Sequence, residues 1–363
     1  MLASMTMREK RMNLQVSNSP HIRDKATTKT LMRDVLIALL PATVASGIIF
    51  GLRSILLILF SVLSCMILEY VCRKIMKRDN TLWDLSAVIT GVLLAFNLPP
   101  TLPYYMVFVG AFFAIVVVKQ MFGGLGNNFV NPALTARIIL LIAFPKAMTQ
   151  WTLTDDSSFH FLRSIRGADL VSQATPLALL RSQGADAISH ATSFAALKGD
   201  NMPSFLTLFL GDKAGCLGEV SILALLIGAA YLLIRKVITP YIPVAYIGTV
   251  FLISLFIGSH PITELFQTDL SVILYEPVYM ILSGGLILGA FFMATDYVTS
   301  PITTKGRIIF GIGCGIITVM IRFYGNIAEG VSFSIVIMNI LTPHIDRFTM
   351  PKPFGEVKKH AKA

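Results

Sequence analysis

Charge is scarce in this sequence, and so are the residues from which soluble active sites are usually built. Only 14% of its 363 residues are Asp, Glu, Lys or Arg, against about a quarter in ordinary soluble domains. Length alone would allow two or three soluble domains, but 55% of the residues are hydrophobic and the mean hydropathy is +0.72. A soluble core cannot hide that much apolar surface, whereas a bilayer can. A soluble enzyme is thereby excluded. Cysteine is equally thin: Cys65, Cys72, Cys216 and Cys314 stand apart with no CxxC pair, which argues against a disulfide framework, a zinc site or an iron–sulfur cluster. The six histidines are dispersed, so no haem or metal constellation is expected. No short apolar core sits near the start, as a cleaved signal would require. Residues 1–34 are instead polar and basic.

What the sequence does have is apolar runs. They fall at roughly 35–51, 54–72, 83–98, 103–121, 131–148, 217–234, 241–259, 275–294, 307–323 and 329–346, and each approaches the length needed to cross about 30 Å of hydrocarbon. The expected fold is an all-α polytopic membrane protein of about ten transmembrane helices. It divides into an N-terminal segment (1–34), a first membrane repeat (35–148), an intervening segment (149–216), a second membrane repeat (217–346) and a tail (347–363).

Orientation follows from the basic residues in short loops. Arg8, Lys10, Arg11, Arg23, Lys25, Lys29 and Arg33 precede the first run. Arg73, Lys74, Lys77, Arg78, Lys119, Arg235, Lys236, Lys305 and Arg307 follow on the same side, as do Arg347, Lys352, Lys358, Lys359 and Lys362 in the tail. The opposite loops offer Arg53, Lys146 and Arg322, so the count is 21 against 3. Both termini are expected to be cytoplasmic and residues 149–216 extracytoplasmic, in a cell membrane. The formal net charge of +10 is thus a topology signal, and no nucleic-acid partner is expected.

The chain also repeats itself. Gly91 to Asn97-Leu-Pro99-Pro100, a helix, then Phe122-Gly123-Gly124-Leu-Gly126-Asn127-Asn128-Phe-Val-Asn131-Pro132 forms one copy. Gly285 to Gly289, continuing through Thr295-Asp296 to Pro301, a helix, then Phe323-Tyr324-Gly325-Asn326 to Glu329-Gly330 forms the other. Asn97 and Asn131 are 34 apart; Asp296 and Glu329 are 33 apart. Five runs per copy is an odd number, so the copies must be inverted, and inverted repeats with helices interrupted at matching places point to a binding site. Irregular backbone at membrane depth is tolerated only where protein or a lined cavity satisfies it. Two polar pockets are expected, an outer one at Asn97 and Glu329 and an inner one at Gly124, Asn127, Asn128, Asn131 and Asp296. Ordinary helix ends are the plainer reading of any single break. Asp296 and Glu329 are acids at helix breaks, which by default invites a functional reading. Arg137 within an apolar run suits a ligand, a partner subunit or an interhelical role, and Glu219 suits a helix cap. Trp151 and the Tyr104-Tyr105 pair suit interfacial anchoring.

The intervening segment carries Asp169-Leu-Val-Ser172-Gln173-Ala174-Thr175-Pro176-Leu177. Taken alone this is a turn opening a helix at Pro176, a residue favoured at the first helical position. It also resembles the acceptor motif for covalent flavin attachment, Asp-x-x-(Ser/Thr)-Gly-Ala-Thr, in which the last Thr is esterified through the FMN phosphate. Together with Ser19-Pro20-His21, Gly123-Gly124-Leu-Gly126 leading to Asn131-Pro132-Ala133, Gly215 to Glu219, Met293-Ala294-Thr295-Asp296 and Glu329-Gly330-Val331 to Pro343, it makes the chain similar to the D subunits of Rnf complexes from about residue 19 to 348. These are relatives of the B subunit of the sodium-pumping NADH:quinone oxidoreductase. The departure is Gln173 where the family has Gly.

The resemblance implies a subunit of an ion-translocating ferredoxin:NAD oxidoreductase, not catalytic alone, coupled to Na⁺ or H⁺ movement. It implies FMN on Thr175, attached by an FMN transferase with Asp169, Ser172 and Ala174 in the recognised motif. It further implies a second, non-covalent flavin such as riboflavin, and partner Rnf subunits within a lipid bilayer. The FMN is expected at the outer pocket and the second flavin at the inner one. The alternatives are a transporter- or channel-like inverted repeat without flavin, or a membrane scaffold for redox partners.

Overall fold

The computed structural model describes residues 27–154, 170–172, 175–180, 205–211, 213–219, 221–258, 270–325, 327 and 329–351. Two long helices open it, α1 (Thr28–Phe50) and α2 (Leu52–Ile75). Thr27 and Thr30 cap α1 reciprocally: the Thr27 hydroxyl accepts from Thr30 N at 3.3 Å and the Thr30 hydroxyl from Thr27 N at 2.7 Å. A single residue, Gly51, separates the two helices with φ +76°. A side chain would strain that left-handed backbone, so glycine permits the abrupt reversal.

The face α2 presents outward shows which solvent it was built for. Leu56, Leu59, Leu63 and Ile67 recur at helical spacing and are 44%, 52%, 55% and 58% exposed. The buried face instead carries Ser54, Ser61, Ser64 and Glu69. Leucine outside and serine inside is the arrangement a hydrocarbon surrounding favours, because buried polar groups then pair helix to helix. Ser61 does so, donating to the Gly91 carbonyl at 2.8 Å.

The rest of the first half comprises α3 (Ser86–Phe96), α4 (Tyr104–Phe112, continuing as a π-helical turn over Phe113–Gln120) and α5 (Pro132–Ala143). A one-turn α6 (Pro145–Met148) follows. Next comes an antiparallel ribbon of β1 (Thr152–Thr154) and β2 (Leu170–Ser172), with Thr152 opposite Ser172, and then the short α7 (Pro176–Leu179) and α8 (Phe205–Leu210). Among the described residues the fold is thus helical apart from this one ribbon in the intervening segment. The second half holds α9 (Ile222–Ile234), α10 (Tyr241–Ile257), α11 (Leu270–Leu282), α12 (Leu286–Leu288, continuing as a π-helical turn over Gly289–Met293), α13 (Thr304–Tyr324) and α14 (Val331–Thr349).

Three helices, α1, α2 and α13, are long and apolar enough to cross a bilayer unaided. The pair Ile273–Leu282 and Leu286–Met293 is long and apolar enough only when its parts are taken together, and it is bent by 62°. Ser86–Phe96, Tyr104–Gln120, Pro132–Ala143, Ile222–Ile234 and Tyr241–Ile257 are shorter apolar helices. At 1.5 Å per residue even the longest of these falls short of the hydrocarbon core, because the runs read from the sequence are cut by real breaks. The chain is an integral membrane protein assembled from long and interrupted helices.

Both halves share one apolar core, from Ala38 and Leu94 to Phe310 and Ile335. Backbone hydrogen bonds splice them together: Leu217 N donates to Leu98 O at 3.1 Å and Gly218 N to Phe96 O at 2.9 Å. Tyr246, Thr318 and Ser334 join α10, α13 and α14 through hydroxyl contacts of 2.6–2.9 Å. α1 and α9 pack tightly, since a Cβ on Gly228 would lie 2.0 Å from the Ala38 carbonyl oxygen. Gly228→Ala is therefore expected to destabilise the chain by about 1–3 kcal/mol, the usual cost of overpacking. Gly248→Ala, whose Cβ would meet nothing within 4 Å, is the neutral control. Thermal midpoints of the two variants in one detergent compare them directly.

Candidate functional site

Helix breaks from both halves close around two separate cavities. The first, of about 80 Å³, is walled by Arg137, Trp151, Thr175, Glu329, Ser332 and neighbouring apolar residues. Thr175 follows the ribbon and caps α7, its hydroxyl accepting from Ala178 N at 3.2 Å while Pro176 takes the first helical position. The turn expected from the sequence is therefore present, with Thr175 itself as the cap. Thr175 is buried, yet its position on the cavity wall leaves the cavity beside it.

Arg137 organises this site. It projects from the middle of α5 and is 7% exposed. Its Nη1 donates to Asn97 Oδ1 at 3.1 Å and to the Ser332 hydroxyl at 2.9 Å, and its Nη2 to Glu329 Oε2. One guanidinium thus fastens the end of α3, the start of α14 and the loop before α14. Its planar fork of five donors allows this, and a lysine ammonium would not reproduce it. Asn97 completes the clamp by donating to the Leu93 carbonyl at 2.7 Å, so its amide is spent on holding Arg137 and it is not among the residues lining the cavity. Behind Arg137 lie Cys216 and Glu219. Glu219 does not cap α9: Ser221 does, accepting from Ala224 N at 3.3 Å, while Glu219 Oε1 accepts from Cys216 N at 2.9 Å. Lys213 donates to the Leu282 carbonyl at 2.9 Å and Arg322 to the carbonyls of Met280 and Ser283.

The second cavity, of about 110 Å³, is lined by Lys119, Ser86, Asn128, Asn131, Asp296 and Tyr297, with Phe291 and Phe292 among the apolar residues. Both breaks that enclose it, after Gln120 and after Met293, follow π-helical turns, a local geometry found often at functional sites. Asn131 is the N-cap of α5: its Oδ1 accepts from Ala133 N and Leu134 N, and its Nδ2 donates to the Met293 carbonyl at 3.3 Å. It therefore ties the two breaks together as well as facing the cavity. Asp296 accepts from the Thr299 hydroxyl at 3.2 Å, and Asn128 donates to the Val130 carbonyl.

Of the residues assigned to this pocket from sequence, Asn128, Asn131 and Asp296 come together. Asn127 is exposed and does not line the cavity; Gly124, with φ +96°, lies against Arg73. In the segment 169–175 that resembles a flavin-attachment motif, Ser172 sits in β2, while Asp169 and Ala174 lie outside the described residues.

Several participants escaped the sequence reading. Lys119 reads as a loop cation from sequence, but it is 2% exposed and bonds Glu69 Oε2 at 2.9 Å and the Ser86 hydroxyl at 2.8 Å. Glu69 is fully buried and also accepts from Gln120 at 3.0 Å and Thr81 at 3.2 Å. Arg322, likewise counted in a loop, is 4% exposed. A charge at the end of an apolar run looks the same in sequence whether it meets water or a partner from another helix. Only the spacing of serines on the Glu69 face of α2 hinted at the difference.

The class of protein is thus a helical membrane protein of two spliced halves, with buried charged clusters beside two cavities. The model of the NQR2, RnfD, RnfE family matches residues 15–355, and the chain belongs to that family. Among its relatives is the D subunit of the Na⁺-translocating ferredoxin:NAD⁺ oxidoreductase complex of Acetobacterium woodii, 46% identical over 97% of this chain and 99% of the relative. Another is the D subunit of the proton-translocating ferredoxin:NAD⁺ oxidoreductase complex of Clostridium ljungdahlii, 39% identical over 94% of this chain and 96% of the relative. The D subunit of the ion-translocating oxidoreductase complex of Stutzerimonas stutzeri is 37% identical over 91% and 93%. These relatives are all subunits of oxidoreductase complexes, and this chain matches them along nearly their whole length.

Glu69→Ala removes the only acidic partner of Lys119 among the described residues. Breaking a buried pair on one side leaves the other charge uncompensated and costs about 3–5 kcal/mol. Glu69→Ala is expected to fall in that range by chemical denaturation in detergent. Glu69→Gln/Lys119→Met, which removes both charges, is expected to be milder.

Proposed function

We propose that this chain is the D subunit of an Rnf-type ion-translocating ferredoxin:NAD⁺ oxidoreductase, and that it relays electrons through two flavins, FMN on Thr175 and a non-covalent flavin, such as riboflavin, at the Asp296 cavity. The observation that carries the reading is the meeting of Thr175 with Arg137 and Glu329 on one cavity wall. The sequence motif names Thr175 as the acceptor, and the repeat names Glu329 independently. The residues also suit the group. A phosphoryl ester on Thr175 brings negative charge, and Arg137 on the same wall is a buried guanidinium. Trp151 adds an aromatic surface to the wall. A bound flavin supplies electron transfer in one- or two-electron steps; the chain binds it, orients it and excludes water around it.

The second cavity combines Phe291 and Phe292 with the amide, carboxyl and ammonium groups of Asn128, Asp296 and Lys119. Few polar groups placed in an apolar wall is the usual make-up of a site for a planar organic cofactor. On the topology read from the basic loops, the two cavities lie toward opposite faces of the membrane, the termini are cytoplasmic, and the Thr175 segment is where an exported FMN transferase reaches it. Ten crossings in a five-plus-five inverted arrangement complete the proposed topology. Reactions with ferredoxin and NAD fall to partner subunits. A flavin-free transporter is the competing reading, favoured by the same interrupted helices.

Two measurements test this reading. The protein co-expressed with an FMN transferase should give a band fluorescent under ultraviolet light on a denaturing gel, and Thr175→Ala should abolish it. A wild-type band that stays dark beside an active transferase moves the reading to the transporter. In the same preparation Asp296→Ala, which leaves the Asn131 cap in place, should release most of the non-covalent flavin. Full retention rules out the Asp296 cavity as its site.

A further inference from the structure

Glu219 and Glu329 come from different loops, one leading to α9 and the other to α14, and converge behind the Thr175 cavity. One carboxyl oxygen of each, together with Cys216 Sγ, lies within 4.8 Å of the other two. Both side chains are withdrawn from solvent: Glu219 is 3% exposed, and the Glu329 side chain 10%. The cations around them are Arg137, Lys213 and Arg322, but only Arg137 forms an ion pair, and it does so with Glu329. Lys213 donates to the Leu282 carbonyl and Arg322 to the Met280 and Ser283 carbonyls, with Arg322 Nε left without a partner among the described residues. No cation lies within ion-pair distance of Glu219 among the described residues. The remaining polar neighbours are Cys216, whose thiol donates to the Asn97 carbonyl at 3.4 Å, and Ser332, which accepts from Arg137.

Two ionised carboxylates held this close in a water-poor interior repel each other strongly, and the usual resolution is that one proton serves both. Glu329 Oε1, buried with no donor, is the counterpart expected of such a pair: a carboxyl oxygen whose partner is a hydrogen on the other acid. A metal ion suits the place less well. Arg137 already neutralises Glu329, and a further cation would face three fixed positive charges.

We propose that Glu219 and Glu329 form a proton-sharing carboxyl pair that holds one proton beside the Thr175 cavity, with Arg137 fixing Glu329 in position. The pair is Glu–COOH···⁻OOC–Glu with net charge −1, its ionised member paired with the Arg137 guanidinium. Losing the proton to the cavity leaves a second carboxylate beside the first with no cation at ion-pair distance among the described residues; regaining it removes that charge. This holds whether or not Thr175 carries a flavin. Where it does, the pair is a proton reservoir next to a group whose reduction takes up protons.

Infrared difference spectroscopy on the full chain in lipid nanodiscs, prepared without flavin, tests it separately from the flavin reading. At neutral pH the wild type should show the hydrogen/deuterium-sensitive absorption of a buried protonated carboxyl, unchanged by added Na⁺. Glu219→Gln and Glu329→Gln should each lose that one protonated carboxyl, because the remaining acid then ionises near Arg137; the double variant should lose no more. Persistence of the absorption in Glu329→Gln would mean that Glu219 is protonated by its burial alone, and the sharing would be refuted. Should a Gln variant fail to fold, the wild type decides. No protonated carboxyl at neutral pH, or one that disappears when Na⁺ is added, overturns the proposal, the second outcome making the pair a cation site.

Discussion

The Arg137 guanidinium is the contact on which the arrangement of this molecule turns. In a bilayer no water is at hand to rescue an unpaired charge, so a cation in the middle of an apolar helix must be met by protein. Arg137 is met from three directions at once, by Asn97, Ser332 and Glu329, and these belong to both halves of the chain. The energetic requirement of one side chain thereby fixes the mutual position of α3, α5 and α14. It also explains why the helices there are interrupted. Asn97 and Glu329 reach the guanidinium because the chain is not helical where they sit, and carbonyls freed at the Asn97 break are taken up by the splice of residues 217–218 onto Phe96 and Leu98.

The same economy repeats on a second set of residues. Glu69 gathers Lys119, Gln120 and Thr81, and Lys119 in turn reaches Ser86 on the wall of the larger cavity. In one case a buried guanidinium is met by acceptors from several elements, in the other a buried carboxylate by donors from several, and in each the cluster abuts a cavity. Isolated buried ion pairs add little to stability by themselves. Their effect here is to make one packing of the breaks much better than any other.

Much of the fold was legible because a membrane solvent writes a simple code. Apolar runs located most helices, the Gly and Pro clusters located the breaks, and the repeat with the basic-loop topology grouped Asn131 with Asp296 and Asn97 with Glu329. Asn131 and Asp296 line one cavity, whereas Asn97 and Glu329 meet on Arg137 with Asn97 off the cavity wall. What could not be read was which residues at a break point inward. Asn127 and Asn128 are neighbours in a stretch without regular secondary structure, and only Asn128 lines the cavity. Lys119 and Arg322 looked like loop cations because their partners, a glutamate 50 residues away in one case and backbone carbonyls about 40 away in the other, leave no local trace. The ribbon β1–β2 was missed for the same reason: three-residue strands 16 positions apart carry no periodicity to detect.

The order of the walls along the chain has a consequence for biogenesis. Arg137 and Thr175 are synthesised well before Glu329, and α14, which carries Ser332, is the last helix among the described residues. During translation the guanidinium therefore enters the membrane with its anionic partner still unmade. At that stage Asn97 and the Cys216 thiol are its available ligands. The first half must wait in a provisional state, and the cavity beside Thr175 acquires its closing wall only when the final helix arrives. Loss of the last helix would thus leave a nascent chain with an uncompensated charge at membrane depth, the kind of defect that membrane quality control removes.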